Sequence, residues 1–109
     1  MDRPLPALGP TSPDLLRSET RPYFLWWTEA TVADLRRHLA SDDLPTRAYW
    51  TGALLREANT RDVWLFVEPD EIRALWPHVV RYLGRSRAMW ACLLGLGESP
   101  WPPPGVSDA

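Results

Sequence analysis

The chain has 109 residues, a formal net charge of −2 and 45% hydrophobic residues, which is typical of one globular domain. Its 12 basic residues are all Arg, and 14 acidic residues outnumber them. That balance argues against a nucleic-acid-binding surface, which normally needs a basic excess. The single Cys, Cys92, excludes an internal disulfide and a Cys-based zinc site. No apolar run has the length of a signal peptide or a membrane span, so we expect a soluble, cytoplasmic protein.

Both ends of the chain are rich in Pro, and this composition predicts disordered tails over residues 1–21 and 98–109. The residues between them, 22–97, form the predicted helical domain. A core of this size supplies only about 3–5 kcal/mol of stability. The seven Trp residues add to it, because each can bury on the order of 200 Å².

The domain opens with an aromatic run from Tyr23 to Trp27. The run is too short for a helix core and shows no alternation, so we predict an extended strap lying across the helices. In an extended backbone Trp26 and Trp27 point in opposite directions. At most one of them packs inward, and the other is a candidate anchor for a partner, since Trp, Tyr and Arg dominate binding hot spots.

Two helices are predicted next, over residues 31–40 and 46–58. Thr31 is a plausible N-cap for the first helix, with Asp34 three residues later completing a capping box. The second helix follows a turn that contains Pro45. Its apolar face consists of Trp50, Leu54 and Ala58.

Residues 59–67 are ambiguous from sequence alone. The run from Val63 to Val67 has the composition of a strand, but a lone strand in a helical chain has no partner edge. Thr60 can cap a short helix, and Asp62 suits its first turn. We therefore predict one or two helical turns here.

The last two helices are clearer. Pro69 fits the first position of the third helix, and Pro77 predicts a kink or two short helices meeting at Trp76. Gly84 is a natural stop, and a fourth helix begins at Ser86. This helix carries Met89, Trp90, Leu93 and Leu94, and we expect Cys92 to be a buried small hydrophobe beside Leu93 and Leu94.

The sequence repeats itself at an offset of 40 residues, which places Val32 over Ile72, Leu35 over Leu75 and Trp50 over Trp90. A constant period of this length is typical of a stacked two-helix unit of the HEAT type. We therefore predict an all-α fold of two HEAT-like helical hairpins, with about four main helices and a short connecting helix.

Residue patterns that carry chemistry are scarce. His38 and His78 occupy the same repeat position, which in a stacked repeat would set them about 10 Å apart, too far to share one metal ion. Cys92 and the Ser residues lack a nucleophile motif. Gly95-Leu96-Gly97 lacks the third glycine of a dinucleotide-binding motif. We expect no metal, no cofactor and no enzymatic activity.

The residues fit a role in binding another protein better than a role in catalysis. Arg47 and Arg87 occupy the same repeat position, and each could either pair locally at the start of its helix or present a guanidinium fork to a partner. A stack of only two repeats also leaves an apolar end exposed, which another protein could cover. The candidate partner-binding residues are Tyr23, Trp26, Trp27, Arg47, Tyr49 and Arg87.

Four pieces of the chain resemble a family of small bacterial proteins, over the stretch from residue 22 to residue 96. They are the opening Tyr23-Phe24-Leu25-Trp26, the Thr-led first helix over 31–39, the run from Glu57 to Trp64, and Glu68-Pro69-Asp70-Glu71-Ile72 at the start of the third helix. The family motif has Asp where this chain has Trp27, and Thr28 can cap the helix in its place. Members of the family look like companions of nucleotidyltransferase toxins of the abortive-infection, AbiEii-like type.

The resemblance implies an antitoxin-like or accessory protein that binds such a toxin and masks it sterically. Two alternatives remain open at this point. One is a nucleic-acid-binding autorepressor, which the acidic pI and the absence of Lys disfavour. The other is a stand-alone homo-oligomer whose apolar end is covered by a second copy.

Overall fold

The computed structural model describes residues 10–96, and the regular structure in that range is entirely helical. The α-helices are α1 (Val32–Leu39), α2 (Leu44–Glu57), α3 (Thr60–Val63), α4 (Pro69–Val79) and α5 (Arg87–Leu93). Short 3-10 helices occupy Pro13–Leu16, Tyr23–Leu25, Val80–Tyr82 and Gly84–Ser86. The prediction of an all-α chain is thus confirmed for these residues, whereas the predicted tail over 98–109 lies outside them. No helix in the described range is long and apolar enough to cross a bilayer.

The first two helices begin where side chains can cap them. Thr31 and Asp34 form the predicted capping box at α1, with the Thr31 hydroxyl accepting from the Asp34 N–H and the Asp34 carboxylate accepting from the Thr31 N–H. Helix α2 starts two residues before the predicted Thr46 because the Asp43 carboxylate accepts from the Thr46 N–H. Pro45 then lies inside the first turn, where its missing N–H costs nothing.

The segment after α2 is helical, as predicted, but its cap is one residue earlier. Asn59, rather than Thr60, caps α3 by accepting from the Arg61 N–H. Helix α4 begins at Pro69 as expected and continues through Pro77 to Val79. The alternative of two short helices meeting at Trp76 is therefore wrong.

The final helix ends in a Schellman motif. The Gly95 N–H donates to the Cys92 carbonyl and the Leu96 N–H to the Ala91 carbonyl. Gly95 has a φ of 77°, which its lack of a Cβ permits. The prediction that Cys92 would be buried is wrong, because only the side of the last helix that carries Trp90, Ala91 and Leu94 faces the core. Met89 and Leu93 are exposed as well.

Residues 10–21 depart from the predicted disordered tail. Leu15 is buried in the core, and the carbonyls of Ser18 and Thr20 accept hydrogen bonds from the N–H groups of Ala33 and Val32. The first N–H groups of a helix have no partner within it, so this segment satisfies the open end of α1. The segment is therefore part of the fold rather than a tail.

The aromatic run is also different from the extended strap that was predicted. Residues 23–25 form a 3-10 helix, in which the Leu25 N–H donates to the Pro22 carbonyl and the Thr28 N–H to the Leu25 carbonyl. Phe24 and Leu25 are thereby turned into the core while Trp26 stays outside. The run packs against α2, which also contacts α1 and α4.

The 40-residue offset is only partly visible in the environments of paired residues. Val32 and Leu35 on α1 are buried, and so are Ile72 and Leu75 on α4, although Val32 is the first residue of its helix and Ile72 the fourth. Trp50 and Trp90 are not equivalent, since Trp90 is fully buried and Trp50 is half-buried. The Trp50 ring instead stacks on His38 with centroids 4.4 Å apart.

Gly52 marks a close approach between α2 and the 3-10 helix at Val80–Tyr82. A Cβ at this position would lie 2.6 Å from the Cβ of Tyr82. Replacement of Gly52 by Ala gains about 1 kcal/mol of helix propensity but forces these two segments apart, at a typical cost of about 1–3 kcal/mol. We expect a net loss of about 1 kcal/mol, measured by urea unfolding.

The matched control for that change is the double variant Gly52→Ala with Tyr82→Gly, which removes the clashing Cβ. The double variant should show a favourable coupling in a double-mutant cycle. A Gly52→Ala protein more stable than the natural chain would contradict the close approach.

Candidate functional site

A buried carboxylate attaches the N-terminal segment to the helical body. Asp62 is 0% exposed, and its Oδ1 accepts from the Thr11 N–H at 2.7 Å. Its Oδ2 accepts from the hydroxyls of Thr11 and Tyr23, both at 2.6 Å. The Tyr23 hydroxyl in turn accepts from the Asn59 N–H at 2.8 Å. This set, which we call the Asp62 network, fixes Tyr23 over the start of α3.

The network sets the charge states of its two acidic members. Burial raises the pKa of Asp62, but the hydrogen bonds from Thr11 and Tyr23 outweigh it, so the pKa lies below its usual value. Burial and the hydrogen bond to Asp62 raise the pKa of Tyr23. The pair is therefore a carboxylate and a neutral phenol at neutral pH.

Trp26 lies next to this network and is the most exposed large hydrophobic residue in the described part of the chain, with 71% of its surface accessible. Its indole Nε1 donates to Glu57 Oε1 at 3.3 Å, and its ring meets Trp27 edge-on with centroids 5.4 Å apart. Trp27 is half-buried and packs against the core. One Trp thus faces outward and one inward, although through a 3-10 turn rather than an extended strand.

Arg56 connects the two tryptophans with a second aromatic pair. Its guanidinium lies 5.9 Å from the centroid of the Trp27 ring, its Nε donates to Glu57 at 2.7 Å, and its Nη1 donates to the Tyr82 carbonyl at 2.8 Å. Tyr82 meets Tyr49 edge-on at 5.6 Å. These contacts form a continuous surface, the aromatic edge, whose members are Trp26, Trp27, Tyr49, Arg56, Glu57 and Tyr82.

The two repeat-equivalent arginines lie at the starts of their helices. Arg47 Nη1 donates to the Ser41 carbonyl at 3.2 Å, and Arg87 Nη1 donates to the Gly84 carbonyl at 2.9 Å. Each therefore binds the turn before its own helix, which is the local alternative considered from the sequence. Neither residue belongs to the contacts that join Trp26 to Tyr49.

The remaining chemistry-bearing side chains are dispersed. Within residues 10–96, His, Cys, Asp and Glu side chains form no group of three or more suited to a metal ion. His38 is stacked on Trp50, and Cys92 is exposed on α5. What the described surface offers is aromatic rings and charged groups held in place by hydrogen bonds.

Neither protein-family models, nor curated proteins, nor solved structures give a match to this chain.

The sequence placed Tyr23, Trp26, Trp27 and Tyr49 among the candidates. The structure joins the last three in the aromatic edge, whereas Tyr23 is held separately by Asp62 and Asn59. Sequence reasoning missed Arg56, Glu57 and Tyr82, which connect those three, and Asp62, which holds Tyr23. In a sequence, a polar residue that makes a long-range contact looks the same as one that only faces solvent. No pattern therefore singled out the residues that were missed. Gly52 beside Tyr49 was the one available hint of a close approach.

Proposed function

We propose that this chain is a non-catalytic, cytoplasmic protein-binding module that uses the aromatic edge as its contact surface. The observation that carries the proposal is Trp26, a large apolar side chain exposed at 71% and yet held in one orientation by Glu57 and Trp27. An orientation fixed before binding reduces the entropy lost on association. Trp, Tyr and Arg are also the residues enriched at binding hot spots.

The charged members of the edge support a protein partner as well. Arg56 and Glu57 pair with each other at 2.7 Å, so the rim around the rings is polar and its charges are balanced. A central apolar anchor within a polar rim is the usual anatomy of a protein–protein interface. The fixed helices beneath it, which we propose to be a HEAT-like pair of hairpins, provide a rigid platform.

The partner that we propose is a nucleotidyltransferase-type toxin, on the basis of the family resemblance in the sequence. Binding would place this chain over the enzyme's nucleotide or RNA entrance and block it sterically. No group on this chain needs to react in such a mechanism, because exclusion of the substrate is sufficient.

Replacement of Trp26 by Ala tests the proposal. We expect it to weaken the complex by about 30-fold, the equivalent of a hot spot of about 2 kcal/mol. The stability of the free chain should change by less than about 0.5 kcal/mol, because the ring is mostly exposed. The partner is first captured from a host lysate and identified by mass spectrometry, and its affinity is then measured by titration.

The matched control is Leu93→Ala, since Leu93 is also an exposed apolar residue but lies on α5. The Leu93→Ala variant should bind the partner as the natural chain does. In a separate test, co-expression of the natural chain should relieve the toxicity of the enzyme. Capture of a protein that is not a nucleotidyltransferase would contradict the toxin assignment. Equal binding by the Trp26→Ala variant would contradict the proposed surface.

A further inference from the structure

Charge is distributed unevenly along this chain. Residues 72–96 contain four Arg and no acidic residue, whereas residues 10–71 contain seven Arg and 11 acidic residues. The small net charge of the whole chain therefore conceals a basic end and an acidic remainder. Three of the four Arg residues at the basic end, Arg81, Arg85 and Arg87, fall within seven consecutive positions.

Those seven positions, residues 81–87, form a hydrogen-bonded turn that we call the basic turn. It joins two 3-10 helices through Gly84, whose φ of 54° lies in the left-handed region. Arg56 and Arg87 donate to two of its carbonyls, those of Tyr82 and Gly84. The guanidiniums of Arg56 and Arg87 are thus attached to the turn by hydrogen bonds.

The ring of Tyr82 lies beside one of these charges, that of Arg81. Arg81 is exposed, with its guanidinium carbon 6.0 Å from the centroid of the Tyr82 ring, and Tyr82 rests on Gly52 and against Tyr49. Arg85 is exposed at the other end of the turn. The surface therefore offers planar charged donors, one of them beside an aromatic ring, an arrangement that suits carboxylates.

We propose that the basic turn, together with Tyr49, is a binding site for an acid-rich segment of a partner protein. The inference rests on the proposed function in taking the ligand to be a protein. It concerns a surface continuous with the aromatic edge but centred on different residues, Arg81 and Arg85. Nucleic acid is disfavoured because the remainder of the described chain has an excess of acidic residues, which repel an extended polyanion.

The experiment uses the full chain and a labelled peptide of alternating Glu and Ser, followed by fluorescence anisotropy at low and moderate salt. The double variant Arg81→Gln, Arg85→Gln should bind the peptide at least about tenfold more weakly. The matched control Arg36→Gln, Arg37→Gln removes the same charge from exposed positions of α1 and should lose less than about twofold. A peptide with Gln in place of Glu should not bind.

Equal losses in the two double variants would overturn the proposal, since they would show attraction by net charge alone. Tighter binding of a single-stranded oligonucleotide of the same charge would also overturn it, in favour of nucleic acid. The Trp26→Ala variant should bind the peptide normally. Loss of partner capture in that variant, with normal peptide binding, separates the two proposals from each other.

Discussion

Replacement of Trp90 by Ala is expected to lower the free energy of unfolding by about 4 kcal/mol, in the range typical of Trp truncation in a core. Trp90 is 0% exposed and meets the ring of Trp64 edge-on at 5.7 Å. A helical domain of this size has only about 3–5 kcal/mol of stability. We therefore expect the variant to lose α5, or the whole fold, in urea unfolding followed by circular dichroism.

The indole N–H of Trp90 adds a specific contribution to that loss. It donates to the Leu55 carbonyl at 2.9 Å, and Leu55 lies in the last turn of α2, where carbonyls lack an intrahelical partner. The N–H that would normally reach this carbonyl, that of Asn59, donates to Tyr23 instead. The Trp90 indole thus supplies the donor that the Leu55 carbonyl at the end of α2 lacks within its own helix.

Two Phe substitutions separate the hydrogen bond from the packing. Trp90→Phe removes a ring and the donor to Leu55, so we expect a loss of about 2–3 kcal/mol. Trp64→Phe is the matched control, because the Trp64 Nε1 has no hydrogen-bond partner within residues 10–96, and it should cost less. If the control is as costly as Trp90→Phe, the hydrogen bond to Leu55 contributes little.

The second large effect is expected from Asp62→Ala, which should cost about 3 kcal/mol. Hydrogen bonds to a charged group contribute about 1.5–3 kcal/mol each, but Thr11 and Tyr23 are exposed enough to regain water, so the three do not add fully. Tyr23→Phe, which removes one donor to Asp62 and the acceptor of the Asn59 N–H, should cost about 1.5 kcal/mol. Native-state hydrogen exchange at Val32 and Ala33 then reports whether the N-terminal segment has detached, because their N–H groups bond to it.

Asp62 also makes the stability of the fold depend on pH. The pKa of Asp62 is lowered in the fold, so its contribution is complete above its unfolded value of 3.8 and is lost as pH falls through the folded value. The pKa of Asp34 is lowered to about 2 by hydrogen bonds from the Thr31 backbone and then from Arg37, and it acts in the same direction. Asp62→Asn should therefore flatten, but not abolish, the loss of stability below about pH 4. An unchanged acid slope would contradict the network.

Local patterns predicted where most helices begin and end. Thr31 with Asp34, and Pro69 at the start of α4, act through contacts within a few residues of sequence. The errors at Thr46 and Thr60 concern a choice between neighbouring cap residues that are all chemically suitable. Such a choice is decided by small differences that periodicity does not record.

The face that a short helix turns inward was harder to predict. In α5 the residues Met89, Trp90, Leu93 and Leu94 form one apolar stripe in sequence, but only Trp90 and Leu94 are covered. A helix of seven residues makes too few contacts to bury both sides of its stripe. The side that is buried was set by the partners of Trp90, which are Leu55 and Trp64.

By itself, the sequence determined that the chain is helical and where its main helices lie. Only the tertiary structure decided that residues 10–21 belong to the fold, that Trp26 faces outward, and that Asp62 holds Tyr23 and Thr11. The physical reason is the sequence separation over which each kind of contact acts. Caps and periodicity act within one or two helical turns, whereas Asp62 and Thr11 are 51 positions apart and meet only when the core has brought them together.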